Sequence, residues 1–221
     1  MELVPAILAK TKEEFVQKIK LVVPYVKLAQ IDIMDGIFVP NKTWGTAVEI
    51  EREWKKLNVG IGREVHLMVS RPEILIKIFV KDNAERIYFH IESTDEPQKV
   101  LDLINQGNKQ FNKRCKKGIA INPETSVAKI EPFLPFLDSV LVMGVSPGFS
   151  GQKFQKIALN KIRQIKKFNP RIEIGVDGGV DLKNAKEILS AGADYLVAAS
   201  SIFGSKNIKE AINKFNSIEA E

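Results

Sequence analysis

The stretch VKLAQIDIMDGIFVPN, residues 26–41, decides how the rest of the chain is read. Val26–Met34 is rich in apolar side chains and reads as a strand, closed by the Asp35-Gly36 turn. Strand side chains alternate between faces. Ile31 and Ile33 therefore share one apolar face, and Gln30, Asp32 and Met34 share the other. The apolar face is expected to meet helices, which turns Gln30 and Asp32 toward the centre of the sheet. GVDGGV, residues 175–180, repeats the arrangement: an apolar run ends at Asp177 and a glycine turn follows. If both strands belong to one parallel barrel, the two carboxylates face each other across its mouth.

The rest of the chain supplies such a barrel. Strand patterns occur at Leu3–Leu8, Val26–Met34, Glu64–Val69, Arg86–His90, Lys117–Ile121, Ser139–Met143, Ile172–Val176 and Tyr195–Ala199. Amphipathic runs lie between them. Lys12–Val23 presents Phe15, Ile19 and Val22 on one face, and Pro72 opens a run through Val80. Further runs span Gln155–Phe168, Asp181 or Leu182 to Ser190, and Asn207–Ile218. Eight strands alternating with eight helices predict a parallel α/β fold, an eight-stranded closed barrel over residues 1–221 as one domain, with a doubly wound open sheet as the rival. The Asp35–Thr46 connection is long for a strand-to-helix loop, and such loops tend to be functional. Trp44 within it either covers the site or packs the loop.

Composition narrows the function classes. The chain has 221 residues, 44% hydrophobic and 27% charged, enough for a substantial core. No apolar run approaches the ~18 residues of a membrane span, and the first residues lack a signal-peptide pattern. The single cysteine, Cys115, excludes an internal disulfide and suits a reducing cytoplasm. The net charge is +6, but the lysines are interspersed with acids, as in KTKEEFVQKIK. That is the look of solvated helix faces, so neither nucleic acid nor membrane is the expected partner. No lysine falls at the predicted ends of the sixth or seventh strand, which argues against Schiff-base chemistry. Cys115 has no neighbouring activating group, which argues against a thiol nucleophile.

Extending the alternation to the other strands gathers Gln30, Asp32, His66 and Asp177 at one mouth, with Met34, Met68 and Met143 beside them and Ala6 on the first strand. Catalytic groups in such barrels sit at the carboxyl ends of the strands. Asp35-Gly36 reads as a structural turn, and His90 as a hydrogen-bonded scaffold residue.

Eight segments, in order, carry a resemblance: VPAIL (4–8), IDIMDGIFVPN (31–41), VHLMVSRPE (65–73), IYFHIEST (87–94), AINPET (120–125), VLVMGVSPGFSGQKF (140–154), VDGGV (176–180) and AGADYLVAASSIF (191–203). Over nearly its whole length the chain resembles ribulose-phosphate 3-epimerases. The resemblance implies a TIM (β/α)8 barrel and epimerisation between D-ribulose 5-phosphate and D-xylulose 5-phosphate. It implies Asp32 and Asp177 as the acid–base pair at C3, and a divalent cation (zinc, manganese, iron or magnesium) held by two aspartates and two histidines. The aspartates fall on Asp32 and Asp177 and one histidine on His66, which also contacts substrate. The other histidine falls on Gln30, and a substrate-contacting serine falls on Ala6. Met34, Met68 and Met143 are the methionines that flank the reacting centre.

The phosphate site implied by the resemblance is made by Gly148, Phe149, Ser150, Gly151, Gly178, Gly179, Ala199 and Ser200. Backbone N–H groups of glycine turns bind anions without a lysine, so the Ser-Gly and Ala-Ser variants found here are expected to keep it. Gln30 leaves three outcomes open. A harder cation binds through Asp32, His66 and Asp177, with Gln30 or water completing the shell. The site works without a cation, the Gln30 amide N–H donating to the enediolate oxygen. Or the reaction is lost and the barrel binds a phosphosugar silently. An epimerase of a six-carbon ketose phosphate, such as allulose 6-phosphate, is the nearest alternative activity. A homo-oligomer is compatible with all of these.

Overall fold

The computed structural model describes residues 2–218. Eight parallel strands close on themselves in chain order. They are β1 (Glu2–Ile7), β2 (Leu28–Met34), β3 (Gly62–Met68), β4 (Arg86–His90), β5 (Lys116–Ile121), β6 (Ser139–Met143), β7 (Glu173–Asp177) and β8 (Tyr195–Ala198). β1 pairs with β8, with Glu2 opposite Tyr195, and this pairing completes the ring. The helices α1 (Lys12–Val22), α2 (Ala47–Leu57), α3 (Ile76–Lys81), α4 (Pro97–Phe111), α5 (Ile157–Phe168), α6 (Ala185–Ser190), α7 (Ser200–Phe203) and α8 (Ile208–Asn216) surround it. This is the predicted TIM barrel rather than the open sheet. Among the described residues no helix is long and apolar enough to cross a membrane.

The strict alternation of helix and strand fails at one place. β5 is followed by two 3-10 segments, Val127–Lys129 and Glu131–Phe136, and by no α-helix. Pro132 and Pro135 in EPFLPF cannot donate backbone hydrogen bonds, so a regular helix does not propagate there. The eighth helix instead comes from a second helix after β8. The run opened by Pro72 also divides, into a 3-10 turn at Pro72–Ile74 and then α3.

Two cores follow from the strand alternation. Outside the sheet, Ile31, Ile33, Val65 and Leu67 belong to one apolar layer with Phe15, Ile19, Ile50 and Phe79 from the helices. Each such side chain contributes roughly 1.5–3 kcal/mol on burial. Inside the barrel, Val4, Ala6, Tyr88, Leu141, Met143, Tyr195 and Val197 form a smaller cluster. Its lower end is polar. Arg86 donates to Glu64 at 2.7 Å and to Glu173 at 2.6 Å. The Tyr88 hydroxyl donates to Ser139 at 2.8 Å and meets the Tyr195 hydroxyl at 2.5 Å. Glycine makes room for these rings: a Cβ on Gly175 would lie 2.2 Å from the Tyr195 ring, and one on Gly118 2.2 Å from that of Tyr88. The bottom of the barrel is thus plugged, and the open end is the carboxyl end of the strands.

Candidate active site

The strand register brings the site residues side by side. Gln30 pairs with Ala6 across β1–β2, Asp32 with His66 and Met34 with Met68 across β2–β3, and Met143 with Asp177 across β6–β7. All the inward positions predicted from alternation therefore meet at one mouth. A cleft of about 510 Å³, partly open to solvent, is lined by Asp32, His66, Asp177, the three methionines, Ala6 and every residue of the expected phosphate loops. Gln30 lies just beneath its floor and is fully buried.

At the centre of the site the Gln30 amide nitrogen donates to Asp32 Oδ1 at 2.7 Å and to Asp177 Oδ2 at 2.8 Å. His66 Nδ1 lies 3.3 Å from Asp32 Oδ1 and 3.2 Å from Asp177 Oδ2. The two aspartates are only 7% and 9% exposed, and His66 is 0% exposed. Burial, reinforced by the Asp177 charge, raises the Asp32 carboxyl above its ordinary value, although His66 and Gln30 pull it down. For His66 burial opposes a positive charge, but the hydrogen bonds to Asp177 and Asp32 outweigh it and hold the imidazole at about 9.

The donor set tests the expected cation. One ligand atom each from Asp32, His66 and Asp177 lies within 4.8 Å of the others, so these three residues fit a divalent metal. Gln30 fits only after a change. It turns its NH2 inward, while its Oε1 is buried and lacks a hydrogen-bond partner. To serve as a ligand, the amide must turn so that oxygen replaces nitrogen. The resulting set would be three oxygens and one imidazole nitrogen, which leans toward harder cations than a two-histidine set does.

The expected phosphate loops sit beside this cluster. Gly148, Gly151, Gly178 and Gly179 all have positive φ. At Gly179 the geometry admits no side chain, since a Cβ would lie 2.6 Å from the Phe154 backbone nitrogen. The backbone itself therefore forms the wall of the cleft, with its N–H groups available to an anion. The long loop after β2 packs over the site, as its length suggested. Val39 is buried with Met34 and Met68, and the Asn41 side chain donates to the Gly148 carbonyl at 3.0 Å. Asp35 is structural: its carboxylate accepts from the Ile37 and Phe38 N–H groups and from the Ser70 N–H and hydroxyl. Trp44 packs on Phe15, ring centroids 5.4 Å apart, and does not line the cleft.

The sequence reading missed one connection. His90 is buried and hydrogen-bonded, as expected, and one of its partners is a residue of the site: its Nε2 lies 2.8 Å from His66 Nε2. Its Nδ1 is 3.3 Å from Glu92 Oε2. Phasing β4 as the other strands were phased would have pointed Tyr88 and His90 inward.

The Ribulose-phosphate 3 epimerase family model matches residues 2–203. Ribulose-phosphate 3-epimerase of Aquifex aeolicus is 38% identical over 191 residues, covering 85% of this chain and 82% of its own. That of Bacillus subtilis is 37% identical over 190 residues, 83% of each chain. In fold alone, 3-hexulose-6-phosphate synthase from Salmonella typhimurium is similar, with a TM-score of 0.74 at 14% identity over 97% of this chain and 96% of its own. An Asp-His-Asp cluster at a barrel mouth, glycine loops beside it and relatives matched over most of their length agree: the chain belongs to the ribulose-phosphate 3-epimerase family.

Proposed function

We propose that this isomerase interconverts D-ribulose 5-phosphate and D-xylulose 5-phosphate by moving the proton at C3 from one face to the other. The observation that carries the reading is a single amide nitrogen bridging two buried carboxylates from β2 and β7. Carboxylates on two sides of one small volume serve as base on one face of C3 and acid on the other. C3 adjoins the C2 ketone, so loss of its proton gives an enediolate. Asp32 works on one face and Asp177 on the other, and such positioned proton transfer contributes about 10²–10⁴ in rate. The ring of His66 faces the same volume and offers a hydrogen bond to developing negative charge, while both N–H groups of Gln30 are given to Asp32 and Asp177. Met34, Met68 and Met143 are buried apolar walls that exclude water and strengthen these interactions. Backbone N–H groups of residues 148–151, 178–179 and 199–200 hold the phosphate and fix which end of the sugar reaches the carboxylates.

Asp32, His66 and Asp177 are the ligands we assign to a divalent cation, with Gln30 as a fourth through its oxygen once the amide has turned. When bound, the cation would supply Lewis-acid stabilisation of the oxyanion. Relative to a two-histidine site, this set shifts preference from zinc toward magnesium or manganese. A reducing, cytoplasmic setting goes with this reading. It is supported by the lone Cys115, a buried free thiol.

The test is proton NMR of ribulose 5-phosphate in ²H₂O. The expected result is xylulose 5-phosphate carrying deuterium at C3. Absence of exchange with Mg²⁺, Mn²⁺, Fe²⁺, Zn²⁺ and chelator alike would overturn the reading.

A further inference from the structure

Two side-chain amides outside the cleft hold the loop after β6 from behind. The Asn41 amide donates to the Gly148 carbonyl at 3.0 Å. The Gln152 amide donates to the Ser146 carbonyl at 2.8 Å and to the Phe149 carbonyl at 3.0 Å. Neither Asn41 nor Gln152 lines the cleft, whereas Gly148, Phe149 and Ser150 do. Asn41 is itself held in place. Its Oδ1 accepts from the Lys42 N–H at 3.0 Å, so its NH2 is the edge turned to Gly148. Thr43 ties this part of the loop to β2, its hydroxyl accepting from the Met34 N–H at 3.0 Å. The two loops approach closely: a Cβ on Gly148 would lie 3.1 Å from Val39 Cβ.

A held carbonyl aims the N–H of the next residue. No peptide bond among the described residues is cis, and in a trans peptide C=O and N–H point in opposite directions. With the Gly148 carbonyl turned to Asn41, the Phe149 N–H points away from Asn41. With the Phe149 carbonyl turned to Gln152, the Ser150 N–H points away from Gln152. Among the described residues neither N–H donates to a backbone carbonyl. Successive unpaired N–H groups make an anion-binding concavity. No lysine or arginine lines the cleft, so the aim of such groups decides how well a phosphate is held. We propose that Asn41 and Gln152 are positioning residues that aim the Phe149 and Ser150 N–H groups at the substrate phosphate. Because the Asn41 loop continues β2, the same hydrogen bond ties the phosphate loop to the strand that carries Asp32. The proposal rests on the reading of these loops as the phosphate site.

The test reads the two N–H groups directly, with inorganic phosphate as the probe. The chain contains one Gly-Phe pair and one Phe-Ser pair, at residues 148–149 and 149–150. Carbonyl-¹³C glycine with ¹⁵N phenylalanine, or carbonyl-¹³C phenylalanine with ¹⁵N serine, therefore isolates each N–H by NMR. In wild-type protein both amide protons are expected to move downfield as phosphate saturates the site. Asn41→Leu and Gln152→Met keep size and remove the donors. Each is expected to weaken phosphate binding about tenfold and to raise KM for ribulose 5-phosphate to the same extent, with kcat changed less than about threefold. Asn41→Leu should reduce mainly the Phe149 response, and Gln152→Met mainly the Ser150 response. A merely structural role would lower the unfolding midpoint and leave phosphate affinity and both responses as in wild type, and that result would overturn the proposal. Wild-type amide protons that ignore phosphate would overturn it too. Phosphate binding that depends on Asn41 and Gln152, in a protein that fails the C3 exchange test, would leave this inference standing and remove the proposed function. Normal exchange, with variants that bind phosphate as wild type does, would do the reverse.

Discussion

Gln30 supplies two N–H donors where a cation ligand is expected, and those donors satisfy two carboxylates that would otherwise repel each other. A ring nitrogen at this position would present a lone pair to a cation. The amide must turn to present its oxygen, and turning leaves the two N–H groups buried. Leaving one buried donor unpaired costs about 1–3 kcal/mol, which a bound cation has to offset. Gln30→His is therefore expected to raise Zn²⁺ affinity about tenfold or more, read by calorimetry and by elemental analysis of the purified protein. An unchanged zinc affinity would mean that position 30 does not address the metal site. Gln30, Asp32, His66 and Asp177 were all legible from strand alternation. The His66–His90–Glu92 line was not, because it depends on the β3–β4 register. Tyr88 pairs with His66, which sets His90 two residues further along, within reach of the His66 ring. No local pattern fixes that register.

Among the elements, the loop after β2 links the carboxylate strand to the glycine loop at Gly148, and Asp35 anchors it. Four donors converge on its carboxylate. Burial works against the charge, but these hydrogen bonds outweigh it and hold Asp35 below its ordinary value. A carboxyl lowered on folding stabilises above its unfolded value, 3.8, and that stability is lost as the pH falls through the folded value. Asp35→Asn is thus expected to cost about 1–2 kcal/mol in urea unfolding at pH 7. The difference from wild type should shrink below about pH 3.8; a pH-independent difference would rule out the charge as its source. Strands were the most legible elements, since each is a short apolar run with turn residues at its end, and β4 and β6 match their predicted limits at both ends. The expected helix after β5 was an inference from the repeating pattern. The two prolines of EPFLPF override that pattern locally.

On the scale of the whole molecule, one barrel interior holds two polar clusters with different consequences. At the mouth, two carboxylates line the cleft. At the floor, Arg86 joins Glu64 and Glu173 and stacks over Tyr195 at 4.2 Å. Burial, outweighing the opposing pull of Arg86, pushes the Glu64 carboxyl up to about 7. A carboxyl raised on folding stabilises at low pH, and this contribution is lost as the pH rises from 4.5 through about 7. Arg86→Met leaves Glu64 without its cation and raises it further. The variant is expected to lose about 3–5 kcal/mol near pH 8 and less near pH 5, by denaturant unfolding. A larger loss at pH 5 would contradict this account of the floor. The floor only carries the mouth, and the central claim concerns the mouth: two carboxylates, one for each face of C3. It is tested most directly by measuring C3 hydrogen exchange with ²H₂O from ribulose 5-phosphate and from xylulose 5-phosphate separately, in Asp32→Asn and Asp177→Asn. The account predicts that both variants lose epimerisation by about 10²-fold or more, while each keeps exchange with one epimer, a different one in each variant. Loss of exchange with both epimers in both variants, or retained epimerisation in either, would contradict it.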